Sequence, residues 1–195
     1  MDSIDVIPDR IEAGTFLIAV AATGGKVKLN NVEPKHMESV INLLRKSDID
    51  IIEDKKSITV TSNGLDIKAC NMETHEYPGF PTDLQAQWML LMSLASGNST
   101  IKENIYFDRF THILELNRLG CDVHLEDGCA TIKGDRNLIG ANVMSTDIRA
   151  SAALIIGALC ADGATNISRV YHIDRGYDKI EEKLAKVGAK ITCKK

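Results

Sequence analysis

Two aspartates of this chain stand where helices are predicted to begin, and a carboxylate at such a place has two uses. Asp83 follows Thr82, and Gln85 completes a Thr-x-x-Gln capping box that would satisfy two backbone donors. Asp147 precedes an apolar stretch and fits a first-turn acid favoured by the helix dipole. A carboxylate within hydrogen-bond reach of a reacting group can instead take a proton from it. Spacing alone favours the helix-terminal interpretation for both residues.

Three arginines could bind an anion, because a planar guanidinium suits bidentate binding of phosphate or carboxylate. Arg175 lies in Asp174-Arg175-Gly176, where a helix is predicted to begin, and a cation at that end opposes the helix dipole. Each arginine also has an ordinary interpretation. Arg149 and Arg175 would be solvated surface charges, and Arg109 would be a structural ion-pair partner.

Composition limits the binding partners, the location and the kinds of site that we expect. The net charge of -4 argues against broad binding of nucleic acid or acidic lipid, so any anion site must be local. No apolar run approaches the roughly 20 residues of a membrane span, and the first residues are acidic where a signal peptide would be basic. We therefore expect a cytoplasmic globular protein. Its irregularly spaced cysteines predict reduced, mostly buried thiols and no metal site: Cys70, Cys121, Cys129, Cys160 and Cys193.

The elements that position the candidate residues occur as an internal repeat. Each copy starts at an aspartate, continues as an apolar helix, turns at glycine and enters a strand, a second helix and another strand. The starting residues are Asp9, Asp83 and Asp147. The repeat units are predicted over residues 7–74, 75–145 and 146–195.

The first helix of each unit is too apolar on all sides to lie on a solvated surface. Three such helices packed together, with sheets outside them, form an inside-out α/β barrel. The second helix of unit two is predicted over residues 110–119, ended by Gly120 in the left-handed region.

Strands beyond the common portion differ between the units. Units one and two add strands over residues 57–60, 65–70, 129–132 and 141–144. Unit three has a helix predicted from about Asp174 and a strand over residues 189–191, and then the sequence stops. Because folded proteins normally cover unpaired strand edges, we expect something outside this chain to complete the third unit.

Five motifs, in order along the chain, resemble those of UDP-N-acetylglucosamine 1-carboxyvinyltransferases. The resemblance covers essentially the whole chain but corresponds only to the carboxy-terminal half of the family's usual length. The motifs are Ile7-Pro8-Asp9-Arg10-Ile11-Glu12-Ala13-Gly14-Thr15, Phe80-Pro81-Thr82-Asp83-Leu84-Gln85-Ala86-Gln87, Asp108-Arg109-Phe110, Thr146-Asp147-Ile148-Arg149-Ala150-Ser151 and Tyr171-His172-Ile173-Asp174-Arg175-Gly176-Tyr177.

The resemblance implies two inside-out barrels that face each other across a cleft, of which the amino-terminal barrel would be the partner missing here. It implies transfer of the enolpyruvyl group of phosphoenolpyruvate to the 3-hydroxyl of UDP-N-acetylglucosamine through a tetrahedral intermediate that loses phosphate, at the start of peptidoglycan precursor synthesis. No cofactor or metal is implied. The family's general-acid cysteine lies in a segment absent here, and none of the five cysteines matches it.

Roles carried over by the resemblance fall on the residues introduced above. Asp83 would contact the sugar hydroxyl and act as the base, and Asp147 would take part in proton transfer or orient the intermediate. Arg149 would contribute positive charge in the cleft, and Arg175 would bind phosphoenolpyruvate.

The nucleotide-sugar contact is expected in the segment before Arg109. By resemblance, Ile105 would meet the nucleotide-sugar mainly through its backbone, and Arg109 would line the same cleft. Tyr106-Phe107-Asp108 replaces the Phe-Glu-Asn that the family more often shows, so the detail of that contact is open. His172 is expected to be a structural histidine bonded to backbone.

Two other functions remain open. The chain could be a non-catalytic module that binds a nucleotide-sugar or a protein, or a relative of the shikimate-pathway enolpyruvyl transferases. An uncovered cleft face could also drive self-association. As half of an enzyme, the isolated chain is expected to be inactive.

Overall fold

A computed structural model of the protein describes residue 4 and residues 6–193. Six α-helices occur in this part: α1 (Arg10–Thr23), α2 (Glu38–Lys46), α3 (Gln85–Leu94), α4 (Ile113–Arg118), α5 (Ile148–Cys160) and α6 (Ile180–Lys186). Nine strands accompany them: β1 (Gly25–Asn30), β2 (Asp50–Asp54), β3 (Ser57–Ser62), β4 (Met72–Glu73), β5 (Asn98–Lys102), β6 (Asp122–Glu126), β7 (Cys129–Lys133), β8 (Asn142–Met144) and β9 (Asn166–Ser168).

The core is built by α1, α3 and α5, which pack against one another. These are the helices that the repeat predicted to be interior. Every side chain of α3 from Gln85 to Ser93 is buried, and Trp88 is completely so. A helix that is apolar on all sides is stable only inside such a core. Within the part of the chain that the structure describes, no helix is long and apolar enough to cross a membrane.

Three sheets surround the helices, in the orders β1-β3-β2, β4-β5-β7-β6 and β8-β9. Both β4 with β5 and β8 with β9 pair in parallel, so the last strand of one predicted repeat joins the sheet of the next. Two sheets therefore contain strands from two consecutive predicted units. The boundaries of the units remain predictions. The β8-β9 sheet has only two strands among residues 4 and 6–193.

Two predicted strands are wrong, and in both cases the backbone bonds elsewhere. At residues 65–70, Gly64 and Asp66 have φ of 70° and 55°, which bends the chain, and only an isolated bridge from Lys68 to Ser96 forms. At residues 189–191, the Ala189 N–H donates to the Leu184 carbonyl at 3.1 Å. A strand needs a neighbour to pair with, and the described residues supply none there.

Two predicted helices also differ from the structure. The helix expected over residues 110–119 is the shorter α4, although Gly120 does have the predicted left-handed φ, at 98°. The helix expected from Asp174 is interrupted. A 3-10 turn, Val170–Arg175, comes first, and α6 begins only after Lys179, whose φ is 49°.

Candidate active site

The three repeat aspartates have different hydrogen-bond partners. Asp9 accepts from the Ile11 and Glu12 amides at 2.8 and 3.1 Å and so caps α1. Asp147 caps α5 in the same way, accepting from the Arg149 and Ala150 amides at 2.7 and 3.1 Å. Such caps satisfy backbone donors that have no partner within the helix.

Asp83 makes no such cap. It lies in the 3-10 turn Thr82–Leu84 ahead of α3, and its Oδ1 accepts from Arg149 Nε at 2.6 Å and from Arg109 Nη1 at 3.1 Å. Its Oδ2 accepts nothing from the described residues, and the side chain is 43% exposed. One carboxylate is thus held by two guanidinium groups, with its second oxygen open to solvent.

The predicted Thr82–Gln85 capping box is wrong. Thr82 Oγ1 instead donates to Glu103 Oε2 at 2.9 Å and accepts from Arg109 Nη1 at 3.0 Å. Gln85 is buried, and its Nε2 donates to the Arg109 carbonyl at 3.3 Å. Both side chains therefore hold the segment around Arg109 against the turn that contains Asp83.

Glu103 organises this segment, and the sequence patterns did not point to it. It is only 4% exposed and accepts at Oε1 from Thr74 Oγ1 (2.7 Å), the Ile105 N–H (2.9 Å) and the Tyr106 N–H (3.0 Å). With the Thr82 bond it receives four donors, which satisfies a buried carboxylate. Glu103 directly follows β5, but no local pattern in the sequence marks it as buried.

Arg109 is positioned on two sides. Its guanidinium carbon lies 3.8 Å from the centre of the Tyr106 ring, a cation–π contact, while Nη1 reaches Asp83. The side chain is 17% exposed. The structural ion-pair interpretation of Arg109 is therefore correct, and it places Arg109 beside the candidate base.

Asp147 and Arg149 extend this arrangement, and we call the four residues Asp83, Arg109, Asp147 and Arg149 the site cluster. Arg149 Nη1 is 3.7 Å from Asp147 Oδ1, and the two side chains are 28% and 32% exposed. Arg149 is therefore no isolated surface charge, since it joins two carboxylates that begin different repeats.

His112 is a buried neighbour that sequence reasoning missed. It is 1% exposed, and its Nε2 has no hydrogen-bond partner among the described residues. Burial, the largest cause, lowers the pKa of His112 from 6.5 to about 4; the charge of Arg149 acts in the same direction, and Asp147 and Glu103 oppose it. The imidazole is therefore neutral at pH 7.

Arg175 is not brought into the cluster by direct contact. Its side chain is exposed, it ends a 3-10 turn instead of beginning a helix, and it makes no ion pair with residues 4 and 6–193. The dipole argument raised for it from the sequence is therefore wrong. His172, in the same turn, has its ring centre 4.3 Å from that of Tyr171, and its side chain makes no hydrogen bond to backbone within the described residues, so the expected structural bond of His172 is wrong.

Other candidate groups lie outside the cluster. Ile105 is half-buried in the loop after β5, with its N–H taken by Glu103. Among the described cysteines only Cys121 is fully buried, so the expectation of mostly buried thiols is wrong; Cys193 is exposed and the others are half-buried. Burial raises the pKa of the Cys121 thiol to about 11 and that of Cys160 to about 12, so neither is a reactive thiolate at pH 7.

Residues 1–184 match the family of EPSP synthase (3-phosphoshikimate 1-carboxyvinyltransferase). The chain belongs to this family. Its fold agrees: the enolpyruvyl transferase NikO from Streptomyces tendae superposes with a TM-score of 0.89 at 24% identity, over 97% of this chain and 45% of that one. EPSP synthase from Acinetobacter baumannii has a TM-score of 0.71 at 14% identity, over 98% and 44%. The predicted enolpyruvyl transferase-like α/β fold is confirmed.

Within the EPSP synthase family, the sequence is similar to curated UDP-N-acetylglucosamine 1-carboxyvinyltransferases, which confirms the resemblance. The one from Aliarcobacter butzleri is 50% identical over 188 residues, 96% of this chain and 44% of the relative. The one from Bartonella henselae is 50% identical over 190 residues, with the same coverage of 96% and 44%. The chain thus spans less than half the length of these relatives.

Proposed function

We propose that this chain is the part of a UDP-N-acetylglucosamine 1-carboxyvinyltransferase that orients the acceptor sugar and binds phosphoenolpyruvate. The observation that carries the proposal is the set of hydrogen bonds made by the Asp83 carboxylate. Its equivalents Asp9 and Asp147 each use Oδ1 to cap a helix, whereas Asp83 makes no cap and its Oδ1 accepts from the guanidinium groups of Arg109 and Arg149.

Asp83 is placed to accept a proton. A sugar hydroxyl within hydrogen-bond reach of Oδ2 would lose its proton to this carboxylate as its oxygen attacks C2 of phosphoenolpyruvate, while the general acid of the partner barrel gives a proton to C3. The resulting tetrahedral intermediate then loses a proton from C3 and phosphate from C2, which re-forms the double bond and leaves the enolpyruvyl group on the sugar. The two guanidinium groups fix the carboxylate in one orientation, so that its open oxygen faces the acceptor.

Arginine is suited to the anionic donor. Phosphoenolpyruvate carries a carboxylate and a phosphate, and both match the planar donor fork of a guanidinium. Arg175 is exposed and has no carboxylate partner in the described chain, so its donors are available to this substrate. Arg149 would contribute positive charge, and Asp147 would orient the intermediate from the cap of α5.

Ile105 would meet the nucleotide-sugar beside Arg109. Because its N–H is taken by Glu103, the contact would use its carbonyl and side chain. Peptidoglycan synthesis rests on the resemblance and belongs to the same proposal, as does the cytoplasmic location expected from the sequence. The partner would be an amino-terminal barrel that supplies the general acid, and self-association stays a prediction.

Sequence identity favours UDP-N-acetylglucosamine over a shikimate as the acceptor substrate. The UDP-N-acetylglucosamine enzymes are 50% identical to this chain, whereas the EPSP synthase structure from Acinetobacter baumannii is 14% identical.

A chimera tests the proposal: the Aliarcobacter butzleri relative in which the aligned segment is replaced by this chain. In the chimera, Asp83→Asn should lower phosphate release from phosphoenolpyruvate by about 100-fold or more, the scale of a lost general base. Asp9→Asn is the matched control, because asparagine caps a helix as well as aspartate does. Equal loss of activity in both variants, or in neither, would refute the role of Asp83.

A further inference from the structure

A chain of buried polar side chains crosses the helical core directly behind the candidate site. It consists of Thr15 in α1, Gln87 in α3 and Tyr177, which follows the 3-10 turn of the third repeat; their exposures are 2%, 0% and 4%. Burying three polar side chains among apolar helices is unfavourable unless they bond to one another. Each predicted repeat contributes one of them.

The hydrogen bonds run without a break from Tyr177 to the backbone of Asp83. The Tyr177 hydroxyl lies 2.8 Å from Thr15 Oγ1. Gln87 Nε2 donates to the same Thr15 oxygen at 3.1 Å and to the Asp83 carbonyl at 3.2 Å. The turn that presents the candidate base is therefore tied to the phenol ring of Tyr177.

At its other end, Tyr177 is tied to Arg175. The Gly176 and Tyr177 amides both donate to the Ile173 carbonyl, at 3.1 and 2.9 Å, which closes the backbone tightly after Arg175. Gly176 also lies against α5, where an added Cβ would be 3.2 Å from Ile148 Cγ2. Ile148 stands between Asp147, which caps α5, and Arg149, so the backbone at residues 175–177 is held from two sides.

Tyr177 acts here as a neutral hydroxyl. Burial raises the pKa of Tyr177 to about 12, with the bonds to Thr15 and Gln87 opposing that rise. The phenol therefore keeps its proton at pH 7. The Tyr177 hydroxyl therefore serves as a hydrogen-bonding group to Thr15 and does not transfer a proton.

We propose that Tyr177 is a positioning residue that sets the backbone of Arg175 relative to the turn of Asp83. An anion bound by Arg175 and a hydroxyl bound by Asp83 must meet in one geometry. The hydrogen bonds from Tyr177 through Thr15 to Gln87 connect the backbone after Arg175 to the turn that contains Asp83. The mechanical part of this inference stands on the contacts alone. Only its consequence for substrates rests on the proposed function.

The first test is amide hydrogen exchange on the chain itself. Tyr177→Phe removes one hydroxyl and keeps the ring, and it should speed exchange about fivefold, the equivalent of one lost hydrogen bond, in residues 173–177 and also in residues 84–88. Thr15→Val, which lacks the hydroxyl, should have the same effect. Thr15→Ser, which keeps the hydroxyl, should exchange at the wild-type rates. Tyr171→Phe is the matched control, since Tyr171 is 59% exposed in the same turn.

Acceleration confined to residues near 177, spread over the whole chain, or absent would overturn the inference. This outcome does not depend on any ligand, so it decides the positioning role even if the proposed function fails.

The second test separates the substrates in the chimera. Tyr177→Phe should raise KM for phosphoenolpyruvate about fivefold and leave KM for UDP-N-acetylglucosamine within about twofold. The variant loosens both segments, but the Asp83 side chain is still held by Arg109 and Arg149, whereas Arg175 has no ion pair within the described residues. Both KM values rising together, or neither, would contradict a positioning role for Arg175. A chimera that transfers no enolpyruvyl group with the unmodified sequence would instead count against the proposed function.

Discussion

Arg149 Nε lies 2.6 Å from Asp83 Oδ1, although the two residues are 66 positions apart. The contact joins the start of α5 to the turn ahead of α3. Because the Asp83 side chain is 43% exposed, solvent screening keeps the contribution of this ion pair to stability below about 1 kcal/mol. Its main effect is orientation, since the same oxygen also receives Arg109 and the other is left open.

Arg149→Lys should reduce activity more than stability. A lysine ammonium is a point charge on a flexible stem and cannot reproduce the fixed fork that reaches Asp83 and Asp147. In the chimera we expect kcat/KM to fall roughly tenfold, equivalent to about 1.4 kcal/mol, with the free energy of unfolding changed by less than about 0.5 kcal/mol. Steady-state kinetics and urea unfolding measure the two quantities.

The control for this substitution is Arg118→Lys, at a side chain that is 62% exposed. It should leave both quantities unchanged. An Arg149→Lys variant with unaltered kcat/KM would show that the contact to Asp83 has no catalytic consequence.

Two substitutions of Asp147 separate its cap from its proposed role in the reaction. Asparagine caps a helix as well as aspartate, so Asp147→Asn should keep the free energy of unfolding within about 0.5 kcal/mol, whereas Asp147→Ala should lose about 1 kcal/mol. Phosphate release by the chimera should nevertheless fall about tenfold or more in the asparagine variant, because the negative charge is gone. Full activity in that variant would reduce Asp147 to a helix cap.

Glu103→Gln should destabilise the chain by about 2 kcal/mol, since a buried carboxylate with four donors is replaced by an amide that itself donates. Thr82 Oγ1 would lose its acceptor, and the segment around Arg109 would loosen with it. Urea unfolding of the chain gives the number. Glu73→Gln, at a side chain that is 55% exposed, is the control; if it costs as much as Glu103→Gln, the network around Glu103 is not the cause.

His112 should make the chain less stable as the pH falls. Its pKa is about 4 in the folded chain and 6.5 when unfolded, so between these values only the unfolded chain binds the proton. Above pH 6.5 neither state binds this proton, and the free energy of unfolding is at its full value. As the pH falls toward 4, proton binding by the unfolded chain lowers the free energy of unfolding by roughly 3 kcal/mol, at about 1.4 kcal/mol per pKa unit.

The matched variants for this pH dependence are His112→Gln and His124→Gln. The first should remove most of the loss of stability between pH 6.5 and pH 4, whatever it does to stability at pH 7. His124 has a side chain that is 83% exposed, and its substitution should leave the loss in place. An unchanged pH dependence in His112→Gln would mean that His112 is protonated in the folded chain.

Local patterns predicted the parts of the fold that depend on neighbours in sequence. The apolar stretches predicted α1, α3 and α5, and Gly120 predicted the end of α4. Long-range partners decided the rest. Residues 65–70 and 189–191 have the composition of strands but lack a partner strand, and the Thr82 hydroxyl is engaged by side chains 21 and 27 positions away.

The site itself was accessible only through the resemblance. Spacing treated Asp83 like Asp9 and Asp147, because all three begin an apolar helix. What distinguishes Asp83 is its contact with Arg109, 26 positions away, and with Arg149 of the third repeat, and no local pattern encodes these contacts. Glu103 and His112 were missed for the same reason, since their importance comes from burial in the assembled core.

The most direct test of the central claim is the choice of acceptor by the chimera. Phosphate release from phosphoenolpyruvate should be measured with UDP-N-acetylglucosamine, with shikimate 3-phosphate, and with this chain alone in place of the chimera. The account predicts release by the chimera with UDP-N-acetylglucosamine and none in the other two cases. A folded chimera that uses shikimate 3-phosphate or neither acceptor, or robust turnover by the chain alone, would contradict it.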